Sequence, residues 1–261
     1  MADTPVLAPA KINLSLHVTG RRDDGYHLLD SMVVFADIGD RLWLCDADEM
    51  SLSVTGPFAE GVPADGRNLV WQAAERAGRV LSIRLEKNLP HGAGIGGGSS
   101  DAAAVLRWAG AGEYALGLGA DVPVCLSNTP QRMRGIGEQL EPVAVPECYL
   151  VLVNPGVHVP TPAVFRALER RDNAGMTPMG EDFIGWLGAQ RNDLQEAAIS
   201  VAPVIAEALA ALDGAIVARM SGSGATCFGL YPDADMARAA AARIAAAQPG
   251  WWVRACRSFT G

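Results

Sequence analysis

The chain has 261 residues, with 21 basic and 29 acidic side chains and a net charge of −8. Hydrophobic residues make up 49% and charged residues 19%, enough for a packed core and unlike a disordered chain. No basic stripe is present to neutralise a nucleic-acid backbone, no apolar run approaches the roughly 18 residues of a membrane span, and residues 1–7 lack the basic start of a secretory signal. These features predict a cytoplasmic protein with no nucleic-acid partner and no membrane anchor.

Residues 6–18 (VLAPAKINLSLHV) alternate after Pro9, with Ile12, Leu14, Leu16 and Val18 on one face and Lys11, Asn13, Ser15 and His17 on the other. That pattern predicts a strand with one buried face. Gly and Asp content makes 20–27 (GRRDDGYH) a turn, and strands are expected over 28–38, 41–45 and 51–55. Asn68 is a suitable N-cap for a helix from Leu69 to about Ala77, closed by Gly78. Residues 80–86 alternate as a strand and lead into the glycine-rich run Pro90–Asp101, which passes at once into the helical AAAVLRWAG. The 117–126 segment is a loop or turn carrying Asp121, and 132–143 shows no clear pattern.

In the second half, 148–153 is an apolar strand and 162–171 a helix with proline in its first turn. Residues 192–211 are helical with a break near Pro203. Strands over 215–220 and 226–231 flank Ser221-Gly222-Ser223-Gly224, an alanine-rich helix covers 233–247, and 251–257 is a last strand. Strands and helices mix without strict alternation, which predicts an α+β protein. A boundary near 146 divides it into domains 1–146 and 147–261.

Five of the seven residues from 92 to 98 are glycine. Without Cβ atoms, backbone N–H groups can approach a ligand closely. A following helix start adds unpaired donors and partial positive charge, and the two together make an anion cradle. Ser99 and Ser100 supply hydroxyls for phosphate oxygens or a metal. The run lacks the GK[ST] ending of a Walker loop. No acidic residue ending a second strand appears about twenty positions on, as a dinucleotide fingerprint requires, and the region before the run is not a first-strand start.

Only Lys11 and Lys87 are lysine in a chain that otherwise uses arginine. An ammonium and a guanidinium are not interchangeable at a tight site, so both positions stand out. The five cysteines, Cys45, Cys125, Cys148, Cys227 and Cys256, are scattered among apolar neighbours without a CxxC pair. They read as free thiols of a reducing compartment. Taken singly, Asp121 fits a capping residue, Lys11 an edge-strand gatekeeper, and the SGSG turn a hairpin. No metal ligands can be assigned.

Three segments together, PAKINLSLHVTGRRDDGYH, NLPHGAGIGGGSSDAAAVL and ARMSGSGATCFGLY, resemble the GHMP kinase superfamily, named for galactokinase, homoserine kinase, mevalonate kinase and phosphomevalonate kinase. The GYH stretch, GLGADVPV and NPGVHVPTPAVF are most similar to its branch that phosphorylates the 2-hydroxyl of 4-diphosphocytidyl-2-C-methyl-D-erythritol, in non-mevalonate isoprenoid precursor synthesis. The resemblance implies a two-domain fold, ribosomal protein S5 domain 2-like in the ATP-binding N-terminal part and ferredoxin-like in the C-terminal part. It implies ATP as co-substrate, Mg2+, a small-molecule substrate, and a monomer or weak homodimer.

It also implies Lys11 and Asp121 as the catalytic pair, and ATP phosphates wrapped by Pro90, His91, Gly92, Ala93, Gly94, Ile95, Gly96, Gly97, Gly98, Ser99 and Ser100. Asn13 and Thr161 would be polar substrate contacts. Tyr26 and His27 would flank the cytosine ring, with Phe165 as the other stacking face. Ser221, Gly222, Ser223 and Gly224 would lie near the phosphates. A homoserine or mevalonate type of kinase and an inactive nucleotide-binding relative are the alternatives. The GYH and PTPAVF segments argue against the first, and intact Lys11 and Asp121 against the second.

Overall fold

The structure, a computed structural model, describes residues 4–260. Two long strands open the chain, β1 (Val6–Arg21) and β2 (His27–Asp46), and they pair with each other. By internal contacts the chain separates into two compact units that interleave in sequence. One holds the described residues up to Lys11 with Ile38–His91 and Gly96–Asn128. The other holds Ile12–Asp37, Gly92–Ile95 and Thr129 onward. The division near 146 follows the order of the chain rather than these contacts, because β1 and β2 each run through both units.

In the first unit, β3 (Ser51–Thr55), α1 (Leu69–Arg76) and β4 (Leu81–Glu86) form a strand–helix–strand crossover. β4 pairs in parallel with β3 and antiparallel with the end of β2, from Arg41↔Glu86 to Asp46↔Leu81. Asn68 caps α1 as its sequence position predicts. Its side chain accepts a hydrogen bond from the Val70 N–H at 3.1 Å and donates to the Pro63 carbonyl at 2.8 Å. α2 (Gly97–Ala109) packs on α1, and short 3-10 turns follow at Gly112–Gly117 and Val124–Leu126.

In the second unit, the hairpin of β5 (Gln131–Gly135) and β6 (Gln139–Pro142) extends the start of β2, from Leu29↔Gly135 to Val33↔Gln131. Then come β7 (Tyr149–Asn154), α3 (Thr161–Ala167), α4 (Phe183–Gly188), α5 (Gln195–Val201) and α6 (Val204–Ala211). β8 (Val217–Met220), β9 (Cys227–Tyr231), α7 (Ala234–Ala247) and β10 (Trp252–Arg257) complete it. The antiparallel sheet has the order β10-β7-β9-β8. Taken as fourth, first, third and second strands of a β-α-β-β-α-β unit, this is the ferredoxin-like arrangement. Its core joins Val151, Val153 and Cys227 of the sheet to Ile205, Ala208, Ala237 and Ile244 of the helices, with Leu16 and Val18 of β1.

Four local outcomes differ from the sequence reading. β1 is buried on both faces from Ala8 to Val18, so its polar alternation does not face water. The strands expected at 28–38 and 41–45 are one strand, because Gly39 lets the chain pass the β1 backbone without a turn. A Cβ there would lie 2.1 Å from the Ala8 carbonyl oxygen. α3 ends at Ala167, where Leu168 turns extended, instead of reaching 171. α4, capped by Asp182, was not expected, and its glycines hide so short a helix. Among the described residues no helix is long and apolar enough to cross a membrane.

Arg219 of β8 is a buried cation that holds part of this unit together. It donates to the carbonyls of Leu14 (2.6 Å), Leu187 (3.1 Å) and Gln190 (2.7 Å), and burial lowers its guanidinium to about 10. Arg219→Leu leaves three buried acceptors without their charged donor. We expect a loss of at least about 3 kcal/mol, read as a lower denaturant midpoint. A midpoint within error of the wild type would show that these bonds contribute nothing net.

Candidate active site

Lys11 lies in β1 with its side chain only 4% exposed, and its ammonium is 2.7 Å from Asp121 Oδ2. Asp121 is 42% exposed, so the pair presents a carboxylate to solvent from a buried cation. The turn bearing Asp121 is fixed from both sides. Val122 and Val124 are fully buried, the Val122 N–H bonds the Gly119 carbonyl at 3.1 Å, and the Cys125 N–H bonds the Val122 carbonyl at 3.2 Å. A half-exposed carboxylate held in place by a buried ammonium is positioned to meet a hydroxyl arriving from solvent.

The glycine-rich run becomes helical earlier than its composition suggests. α2 begins at Gly97, so Gly97, Gly98, Ser99 and Ser100 form its first turn, and no side chain caps it. Gly96 precedes it in the left-handed region (φ 65°), where a Cβ would sit 3.1 Å from the Lys11 Cβ. Glycine there lets the loop lie on the lysine stem. Ser100 Oγ is buried and has no hydrogen-bond partner among the described residues. In the first half of the loop, Pro90 and His91 lead in, and His91 meets Phe58 edge-on at 6.2 Å. Ala93 and Ile95 are buried, while Gly92 before them and Gly94 between them are not.

The late turn packs on that first half. The Thr226 N–H bonds the Ala93 carbonyl (3.1 Å), and the Ser221 hydroxyl donates to the Gly94 carbonyl (2.9 Å) while accepting from the Asn13 N–H (3.0 Å). Asn192 donates to the Met220 and Gly222 carbonyls at 2.7 and 2.8 Å. Ser223 shares a hydrogen bond with Thr161 at 2.8 Å. The turn from Ser221 to Gly224 thus shapes the loop. Asn13 is 1% exposed. Its amide donates to Ser31 Oγ at 2.8 Å, and its Oδ1 is left without a partner.

The second lysine has partners that sequence reasoning did not supply. Lys87 is buried between Asp40 and Asp101, with its ammonium 2.7 Å from Asp101 and in closer contact with Asp40. Asp40 also accepts from the N–H groups of Asn88 (2.5 Å) and Leu89 (2.9 Å). This knot ties β2 and the end of β4 to Asp101, just past the first turn of α2, and so brackets the loop. The scarcity of lysine was the only signal for it. One ammonium cannot neutralise two carboxylates. Burial, opposed by Lys87 and reinforced by Asp40, pushes Asp101 up to about 7.

The expected base-binding residues are brought together in part. His27 and Phe165 stack on each other, ring centroids 4.5 Å apart and planes 19° from parallel. That contact leaves no space for a third ring between them. Tyr26 is 59% exposed, and among the described residues no ring contact joins it to Phe165. His27 Nε2 is buried and unpartnered. Burial, then Arg21 and Arg171, lowers the basicity of the imidazole.

Asp101 is 3.8 when unfolded and about 7 when folded, so folding favours its protonated form. Its contribution to stability is full below about pH 4 and lost as pH rises toward 7. Asp101→Asn should remove that loss, so the variant gains on the wild type across this range in urea unfolding. Parallel pH profiles for the two proteins would contradict the assignment.

Two family comparisons match the chain: GHMP kinases N terminal domain over residues 68–127 and GHMP kinases C terminal over residues 181–250. A 4-diphosphocytidyl-2-C-methyl-D-erythritol kinase of Paracoccus denitrificans is 58% identical, covering 95% of this chain and 94% of the relative. One of Cereibacter sphaeroides is 53% identical, with 97% and 99% covered. A crystal structure of 4-(cytidine 5'-diphospho)-2C-methyl-D-erythritol kinase superposes with TM-score 0.81 at 35% identity, covering 98% of this chain and 100% of that one. A homoserine kinase structure from Cytophaga hutchinsonii shares the fold alone, at TM-score 0.68 and 18% identity. With coverage this complete and identity this high, the chain belongs to the 4-diphosphocytidyl-2-C-methyl-D-erythritol kinase family of the GHMP kinases.

Proposed function

We infer that the chain transfers the γ-phosphoryl group of ATP to the 2-hydroxyl of 4-diphosphocytidyl-2-C-methyl-D-erythritol, in non-mevalonate isoprenoid precursor synthesis. The observation that carries the chemistry is the 2.7 Å pair of buried Lys11 and half-exposed Asp121. The substrate oxygen bonds to the γ-phosphorus as the bond to the β-phosphate oxygen breaks, ADP departs, and Asp121 takes the hydroxyl proton. Lys11 holds Asp121 in position through the ion pair and stabilises charge on the moving phosphoryl group.

The uncapped first turn of α2, Gly97 to Ser99, aims N–H groups and the positive helix end at the phosphates, with the loop from Pro90 to Gly96 around them. Among the described residues no cluster of three or more His, Cys, Asp or Glu could hold a metal. Mg2+, an ion that usually retains several waters, would be held by phosphate oxygens and water with few protein ligands. The unpartnered Ser100 oxygen fits a single protein contact to it. The ion would draw charge from the phosphate oxygens.

Asn13 Oδ1, a buried acceptor without a partner, receives a substrate hydroxyl, and Thr161 beside Ser223 gives a second polar contact. The cytosine ring takes the face of Phe165 that His27 now covers. His27, turned outward, offers Nε2 to the base edge, and exposed Tyr26 closes over the far side. Stacking of this kind is worth about 1–3 kcal/mol per base. The five free cysteines fit a reducing cytoplasm.

The direct test is ATP turnover with the cytidyl substrate beside mevalonate and homoserine. Turnover with the cytidyl substrate alone is expected, and turnover with only a control would replace the substrate assignment. Asp121→Asn should keep ATP binding and lower kcat by at least about 100-fold. Lys11→Arg should also be strongly impaired, since a planar head cannot stand in for a point charge at this distance. Near-normal turnover in either variant would remove that residue from the mechanism.

A further inference from the structure

We propose that Arg21 and Arg171 form an anion subsite beside the His27–Phe165 ring pair, taking the phosphate groups of a pyrimidine nucleoside diphosphate whose base the rings hold. The proposal rests on the substrate reading above and adds to it the residues that read the diphosphate.

The two guanidiniums differ from their immediate neighbours. Arg22 pairs with Asp24 at 2.7 Å and Arg170 with Asp172 at 3.6 Å. Among the described residues neither Arg21 nor Arg171 has a carboxylate partner. Arg171 Nε is buried, with no hydrogen-bond acceptor among the described residues. Arg21 is aimed by its own turn, its Nε donating to the Gly25 carbonyl at 3.2 Å.

The chain brings both to the rings. Asn173 bonds the Val18 carbonyl through its N–H (3.0 Å) and its side-chain amide (3.2 Å), which holds the segment after α3 against the end of β1. Arg171 is two residues from that clamp, and Arg21 is three residues beyond Val18. After burial, Arg21 and Arg171 are the charges that most depress His27, so both lie within electrostatic reach of the imidazole.

Two cations within electrostatic reach of one imidazole, one of them with a buried donor lacking an acceptor, favour the arrival of an anion. Guanidinium forks match phosphate oxygens in pairs, and the residues are arginine. A base on the rings carries its phosphates a few ångströms away, where a neutral nucleoside offers nothing.

The test compares cytidine and CDP binding to the purified full chain by calorimetry, with steady-state kinetics on the cytidyl substrate. The wild type should bind CDP at least about 30-fold more tightly than cytidine, an advantage that shrinks as salt rises. Arg21→Gln and Arg171→Gln should each weaken CDP about 10-fold without changing cytidine, and raise KM for the cytidyl substrate but not for ATP. Arg171→Lys should recover part of the loss, and Arg170→Gln should change nothing.

Unchanged CDP preference in the Arg21→Gln/Arg171→Gln double variant, with turnover intact in the wild type, would overturn the subsite and leave the function standing. A wild type that fails to turn over the cytidyl substrate while these variants still lose their preference for CDP would keep the subsite and overturn the function. Equal binding of CDP and cytidine by the wild type would overturn the subsite outright.

Discussion

A polar side chain taken out of water must find a partner, and β1 carries four of them at alternate positions. Lys11, Asn13, Ser15 and His17 are all buried, so the strand is sealed on the face that its composition would leave wet. Each one finds its partner elsewhere in the chain. Lys11 has Asp121, Asn13 has Ser31, Ser15 meets the Met176 sulfur at 2.9 Å, and His17 lies 3.2 Å from the Ala174 carbonyl. Satisfying one strand therefore fixes the acidic turn, the start of β2 and the segment after α3. The Lys11–Asp121 pair, which we propose as catalytic, is one rung of a ladder that the fold needs in any case.

The glycine-rich loop depends on a related constraint. Glycine makes the loop able to approach a ligand, but it also makes it costly to order. Order is supplied from outside. The late turn bonds the Ala93 and Gly94 carbonyls, and Asp40 takes the N–H groups of Asn88 and Leu89 just upstream. Ala93 and Ile95 add buried anchors. Flexible composition and a single conformation coexist because the bonds come from residues outside the loop.

Much of this was legible in the sequence, for stated reasons. Apolar alternation in β1 and β4, Asn68 before α1, the Pro203 break and the βαββαβ order of the second half depend on local chemistry. Burial of the polar face of β1 was not legible, because it depends on partners more than a hundred residues away, such as Asp121. The run at Gly97–Ser100 looked like loop because glycine disfavours helix, yet its place ahead of AAAVL makes it a first turn. Lys87 was conspicuous by residue type, but its two carboxylates stand 47 and 14 positions away with nothing local to mark them. The pairing of His27 with Phe165, rather than with a gap for a base, is a tertiary outcome that no motif encodes.

The stacked His27 and Phe165 rings also bear on the heat of binding. In the free chain the two rings already shield one another from water. A base that takes the place of one ring exchanges an existing apolar contact for a new one, so little net apolar surface leaves solvent. The heat-capacity change of nucleoside binding should then be small for a stacked complex, and its binding enthalpy should be nearly independent of temperature. Selectivity among planar ligands would come from the ring edge and the polar groups around it, since the faces contribute nearly as much before the ligand arrives as after.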